Sequence, residues 1–166
     1  MRVVCGFDHA GAPLRDAVVA ALEGDGHAVV DAGTYDDYPY AAAAVARALA
    51  DGAERAVLVC GSGAGVSVAA TKLPGVRAAT VHDTYTAHQG VEHDDLNVLC
   101  LGARVIGPEL AVELVRTFAA ATFSGAERHR RRLDEVAALE RDGLDGLPPE
   151  PTSEPPRAST TEETRP

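Results

Sequence analysis

The chain has 166 residues, 46% hydrophobic and 24% charged, with a formal net charge of −10. That length fits one globular domain with a tail, and no apolar run approaches the roughly 18 residues of a membrane helix. The negative charge repels nucleic acid and anionic membrane surfaces at long range, so neither is an expected partner, although a local basic pocket for a small phosphate is still possible. Met1-Arg2 does not begin a charged-then-apolar signal sequence. Cys5, Cys60 and Cys100 each lie in or at the end of an apolar run, with neither a disulfide-framework nor a zinc spacing. The expectation is a soluble, cytoplasmic protein.

In chain order the pattern alternates strand and helix. Arg2–Cys5 is a short apolar strand, ended by Gly6-Phe-Asp-His-Ala-Gly11. Pro13, favourable in a first helical turn, opens a helix to about Glu23 with Leu14, Val18, Ala21 and Leu22 on one face. Ala28–Val30 is the second strand and Ala41–Ala50 an alanine-rich helix that Asp51-Gly52 can end. Ala56–Val59, Ala78–Val81 and Val98–Leu101 are the third, fourth and fifth strands, and the stretch after Gly65 can be helical. Pro108 opens a helix to about Ala121, and a charged helix covers about Glu127–Arg141. Strands apolar on both faces, alternating with helices, predict an α/β protein: a five-stranded parallel sheet between two helical layers. Residues 1–142 are expected to form the domain. From Gly143 to Pro166, six of the ten prolines gather with Ser, Thr and Glu. That segment offers too little apolar surface to offset its ordering entropy, so a disordered tail is expected there.

Open parallel sheets bind ligands at the carboxyl ends of their strands. Asp8-His9 follow the first strand, Cys60–Gly65 the third and His82-Asp83 the fourth; Glu92–Asn97 precede the fifth strand and Arg104 lies just beyond it. The loop Cys60-Gly-Ser-Gly-Ala-Gly65 places a thiol beside backbone N–H groups able to hold an oxyanion or a phosphate. A dinucleotide-binding turn would need glycine where Val66 stands, and a cysteine phosphatase would need arginine at that same position. Arg128-His-Arg-Arg-Arg132 is a dense cationic run in an acidic chain. Taken singly, a strand-end cysteine is a small hydrophobe, GSGAG a tight turn and an arginine run a solvated helix face; their conjunction points further.

That conjunction resembles the ribose-5-phosphate isomerase B / galactose-6-phosphate isomerase family over about Met1–Arg141. The matching pieces are Gly6–Gly11, Asp37-Tyr-Pro39, Cys60–Gly65 with Ala69-Ala-Thr-Lys72, His82-Asp-Thr-Tyr-Thr86, Glu92-His-Asp-Asp-Leu-Asn97, Gly102–Gly107 and Arg128-His-x-x-Arg132. The resemblance implies a Rossmann-like three-layer α/β/α sandwich and an aldose–ketose isomerase of a phosphorylated sugar, with ribose 5-phosphate to ribulose 5-phosphate foremost.

By the same resemblance Cys60 falls at the catalytic base, which moves a proton between C1 and C2 through a cis-enediolate. That role needs thiolate character, which the start of the following helix favours. The backbone of Gly61, Ser62, Gly63, Ala64 and Gly65 falls where the family holds the enediolate oxygens, Ser62 standing where threonine is usual. His93 matches the ring-opening acid/base, and Asp8 and His9 the substrate-binding pair. Tyr38 lies against the sugar, and Arg104, Arg128 and Arg132 match the phosphate-binding arginines. The family builds this site across a homodimer interface, dimers often pairing into tetramers, and no metal or organic cofactor is implied. Asp94 replaces the usual asparagine beside the histidine, and the loop before Asp37 is shorter than is common. Both changes touch the sugar pocket, so tetrose and hexose phosphates are alternative substrates. A non-catalytic sugar-phosphate-binding paralogue and a thiol-dependent hydrolase are the readings from other classes.

Overall fold

The computed structural model describes residues 1–147. Its elements are β1 (Arg2–Asp8), a 3-10 turn (Ala12–Leu14) leading into α1 (Arg15–Gly24), β2 (Ala28–Tyr35), α2 (Tyr38–Ala50), β3 (Arg55–Cys60), α3 (Ala64–Ala70), β4 (Ala78–Thr80), α4 (Thr84–Asp94), β5 (Val98–Gly102), α5 (Pro108–Ala120) and α6 (Glu127–Asp142). The strands form a five-stranded sheet in the order β2-β1-β3-β5-β4, and every neighbouring pair is parallel.

Alternate residues of the central strands face opposite layers, as the two-residue strand period requires. Val3, Cys5, Phe7, Val57, Val59, Leu99 and Leu101 pack with Val18 and Leu22 of α1, Val91 of α4 and Leu114 and Phe118 of α5. Val4, Ala56, Leu58, Cys60, Val98 and Cys100 pack on the other face with Ala41, Ala42 and Val45 of α2 and Val66 and Ala70 of α3. Leu22, Leu58 and Leu114 are wholly buried, each such side chain stabilising the fold by about 1.5–3 kcal/mol. The α/β sandwich predicted from the apolar runs is the observed fold.

Several boundaries differ from the sequence reading. β1 continues past Cys5 because Phe7 pairs with Val59 on one side and Thr34 on the other, which carries Asp8 to the strand's carboxyl end. β2 extends to Tyr35 although Asp31-Ala-Gly-Thr34 is not an apolar run; an edge strand leaves one side to solvent, so polar residues fit there. The sequence reading places no helix between the fourth and fifth strands, yet Thr84–Asp94 is helical. Most of its residues are poor helix formers, but the Asp83 side chain accepts the Thr86 N–H at 2.7 Å and caps it, while Ala87 and Val91 bury against the core. Gly143–Gly146 form a 3-10 turn inside the segment expected to be tail; the rest of that expectation, 148–166, lies outside the described residues.

The half-buried Arg55 holds the end of α5. Its guanidinium donates to the carbonyls of Phe118, Ala119 and Ala121 and lies 5.2 Å over the Phe118 ring. The lost hydration pushes its pKa down, but a guanidinium stays charged and satisfies these last helical carbonyls. The chain then turns toward α6, and the Ser124 N–H donates to the Glu92 carbonyl at 2.9 Å, tying that turn to the end of α4. Arg55→Ala removes charge-assisted bonds from a buried helix end and is expected to cost about 2 kcal/mol, read from urea unfolding midpoints.

Candidate active site

The sheet order reverses direction between β1 and β3: β2 lies on one side of β1, β3 on the other. Such a switch point opens a crevice at the carboxyl edge, and Asp8 and Cys60 stand at its two sides. The crevice is a cleft of about 380 Å³ lined by Asp8, His9, Tyr38, Cys60, Gly61, Ser62, Gly65 and Arg104. Eight of the residues singled out from the sequence therefore meet in one place.

The loop after Cys60 is shaped by backbone constraints. Gly63 has φ +81°, and a Cβ there would sit 2.8 Å from Thr80 Cγ2, so an L side chain would be strained and crowded. Its N–H donates to Cys60 Sγ at 3.1 Å, and the Thr80 hydroxyl donates to its carbonyl at 2.9 Å. The Ala64 N–H turns to Ser62 Oγ at 3.3 Å. Two donors of the loop are thus used internally, so it is not the uniform row of free N–H groups that alternating glycines imply. Gly65 supports Tyr38: a Cβ there would lie 3.2 Å from two ring carbons. The turn after β5 runs beside the loop, Ala103 and Arg104 donating N–H bonds to the Cys60 and Gly61 carbonyls at 2.9 Å each, and this places Arg104 at the cleft.

Asp8 is 5% exposed, and its Oδ1 accepts the Ala10 and Gly11 N–H groups at 2.9 and 2.8 Å. His9 Nδ1 is 2.7 Å from the Asp36 carbonyl oxygen. A carbonyl only accepts, so Nδ1 carries the proton and Nε2 is the nitrogen available to a ligand. The three cysteines differ sharply. Burial, more than the nearby Asp31, pushes the Cys5 thiol up to about 12, and burial likewise pushes Cys100 up to about 12. Cys60 alone of the three lines the cleft and receives a backbone N–H.

The remaining predicted residues sit elsewhere. α4 starts after β4 at the carboxyl edge and runs back against the strands, so its 11 residues carry His93 and Asp94 roughly 15 Å toward the opposite edge. There His93 meets α6. Its ring lies 4.2 Å from that of His129, tilted by 35°, and Arg128, Arg132 and Asp94 surround His129 closely enough to act on its titration. Asp94 and Arg132 also line a groove of about 840 Å³ between α6, β4 and α4. A single chain thus holds two groups: thiol, loop and Arg104 at the sheet edge, and His93, Asp94, Arg128 and Arg132 where α4 meets α6. His82, noted after the fourth strand, accepts the Gly102 N–H at 3.0 Å and braces β5.

Sequence reasoning gave no role to His129, which is 2% exposed. Arg128 Nε donates to its Nε2 at 3.1 Å, and an arginine N–H cannot accept, so Nδ1 carries the proton, 2.7 Å from Ser124 Oγ. Burial, then the fields of His93, Arg128 and Arg132, pushes its pKa below the ordinary 6.5, with Asp94 opposing. Below that ordinary value the unfolded chain takes up a proton that the folded chain resists, so stability falls as the pH drops through about 6. His129→Gln is expected to lose less stability than the unaltered chain between about pH 7.5 and 5.5, measured by urea unfolding at both.

The chain matches the Ribose/Galactose Isomerase family model over residues 3–136. It is 39% identical over 145 residues to the ribose-5-phosphate isomerase B of Escherichia coli, covering 84% of this chain and 97% of that protein. It is 37% identical over 148 residues to the D-erythrulose-4-phosphate isomerase 2 of Mycolicibacterium smegmatis, covering 84% and 97%. The crystal structure of ribose-5-phosphate isomerase B from Mycoplasma genitalium with bound ribulose 5-phosphate superposes with a TM-score of 0.79 at 34% identity, covering 85% and 97%. Among the described residues no helix is long and apolar enough to cross a membrane. With a family model spanning most of the domain and relatives matched over nearly their whole length, the chain belongs to the ribose/galactose isomerase family.

Proposed function

We propose that this isomerase interconverts ribose 5-phosphate and ribulose 5-phosphate, with Cys60 as the base that moves a proton between C1 and C2. The observation that carries the reading is the meeting of Cys60 with Asp8, His9, Tyr38, Ser62 and Arg104 in one cleft, with the Gly63 N–H on its sulfur. In the aldose-to-ketose direction the thiolate takes the C2 proton. The carbonyl oxygen becomes an enediolate oxygen held by backbone N–H groups of the Gly61–Gly65 loop other than those of Gly63 and Ala64. The proton then returns to C1 as the C2 hydroxyl proton passes to the C1 oxygen, leaving the carbonyl at C2. The Arg104 guanidinium adds positive charge at the cleft, and the lone pair of His9 Nε2 can accept from a sugar hydroxyl.

The second group supplies what the first lacks. His93 opens the furanose by giving its Nε2 proton to the ring oxygen and taking up the anomeric hydroxyl proton in its place, while Arg128 and Arg132 hold the phosphate. One chain keeps the two groups apart, so we place His93, Arg128 and Arg132 of a second copy over the Cys60 cleft, in a homodimer with two equivalent sites. Exposed Tyr38, Tyr40, Tyr85 and Val105, all near the carboxyl edge of the sheet, form an apolar rim suited to such a partner. The relative named as a D-erythrulose-4-phosphate isomerase favours a second reading, the same chemistry on a four-carbon sugar phosphate. Asp94 bears on that choice, because an ionised carboxylate cannot donate to a sugar hydroxyl.

A coupled assay over four-, five- and six-carbon aldose phosphates is expected to give the highest kcat/KM with ribose 5-phosphate; preference for the tetrose would establish the second reading. Cys60→Ala should lower kcat at least about a hundredfold while inorganic phosphate still binds, and substantial residual turnover would remove the base assignment. Arg132→Ala should raise KM far more than it lowers kcat. Mixing inactive Cys60→Ala and His93→Ala chains should restore about a quarter of full activity, because random pairing makes half the dimers mixed and each mixed dimer has one intact site. No recovery on mixing would mean that each site is built within one chain.

A further inference from the structure

We propose that Gln89 is a positioning residue that fixes the tautomer of His93, keeping the ring proton on Nε2; the inference rests on the reading of His93 as the ring-opening acid. α4 places the two residues four apart on one face. Gln89 Nε2 lies 2.7 Å from His93 Nδ1. An amide nitrogen has only hydrogens to offer, so Nδ1 presents its lone pair and the single proton of the neutral ring sits on Nε2.

A second observation on the opposite side of the ring agrees. Glu92 Oε2 lies 3.8 Å from His93 Nε2, and a carboxylate there favours an N–H over a lone pair facing it. His129 limits the ring from its face, with centroids 4.2 Å apart. Its own nitrogens are committed to Ser124 and Arg128, so it packs without competing for a His93 nitrogen. Glu92 and His129 face the ring itself, Arg128, Arg132 and Asp94 act on the neighbouring His129, and His88 reaches Glu92 at 3.5 Å. Among the described residues Gln89 is the hydrogen-bond partner of Nδ1, so it fixes that nitrogen as the acceptor while Glu92 adds to the preference at Nε2. His93 is 31% exposed at its side chain, so the ring is held on two sides yet open to a ligand. A general acid needs its N–H aimed at the leaving oxygen, and a ring with the proton on the other nitrogen offers a lone pair there instead.

Nitrogen-15 NMR of histidine-labelled protein at about pH 8, with His93 assigned by its loss in His93→Asn, reads the tautomer directly. The unaltered chain is expected to show a protonated Nε2. Gln89→Glu, which only accepts, should move the proton to Nδ1, and Gln89→Leu should give a mixture of both forms. With ribose 5-phosphate as substrate, Gln89→Glu should lower kcat at least about tenfold with KM changed less than about twofold. An unchanged His93 pattern in both variants overturns the proposal whatever the activity. A moved proton with unchanged kcat upholds Gln89 as the residue that sets the tautomer and overturns His93 as the acid, so the two readings fail separately.

Discussion

In a parallel sheet each helix must return the chain to the edge where the next strand begins, and that return sets where this molecule's polar and titratable side chains can meet. Cys60 ends β3 at the carboxyl edge, whereas His93 lies in the last turn of α4, the helix that travels back to the start of β5. A residue at the end of a strand and one at the end of a returning helix are therefore a helix length apart, whatever their side chains. The chain has a thiol with a donor loop at one end and an imidazole with paired guanidiniums at the other. Isologous pairing of two chains is the symmetric way to bring unlike ends together twice.

The thiol is distinguished by position more than by residue type. Cys5 and Cys100 are enclosed on the two faces of the sheet, and burial raises both thiols to about 12. Cys60 belongs to the same apolar layer as Cys100 but stands at its rim, where Gly63 folds back to donate to the sulfur. That fold-back depends on a left-handed backbone at Gly63 and on Thr80 of the neighbouring layer holding its carbonyl. The net charge of −10 is likewise a property of the whole chain; locally, Arg104 meets the cleft and Arg128 and Arg132 crowd His129.

Much of this was legible in the residues. Apolar runs at Val3–Cys5, Ala56–Val59 and Val98–Leu101 identify central strands, because a strand covered on both faces has no polar alternation. Cys60 at the end of such a run, with Asp8 at the end of another, marks the switch-point crevice. The same logic fails where burial is partial. β2 is an edge strand whose polar second half carries little apolar signal, and α4 is built from Thr, His and Gly, held by the Asp83 cap and two core contacts more than by propensity. With α4 unseen, the four-residue spacing of Gln89 and His93 has no meaning, and His129 reads as one more member of a basic run.

The sequence by itself determined the layer architecture, the strand ends at which polar and titratable groups are concentrated and the types of those groups, because apolar periodicity and glycine placement are local properties. Only the tertiary structure decided which of those groups share a cleft, that the loop's N–H groups at Gly63 and Ala64 are turned inward, and that His93 and the arginines gather around a buried neutral imidazole. Those outcomes depend on strand order and on the direction in which each helix returns, which arise from packing among residues far apart in the chain.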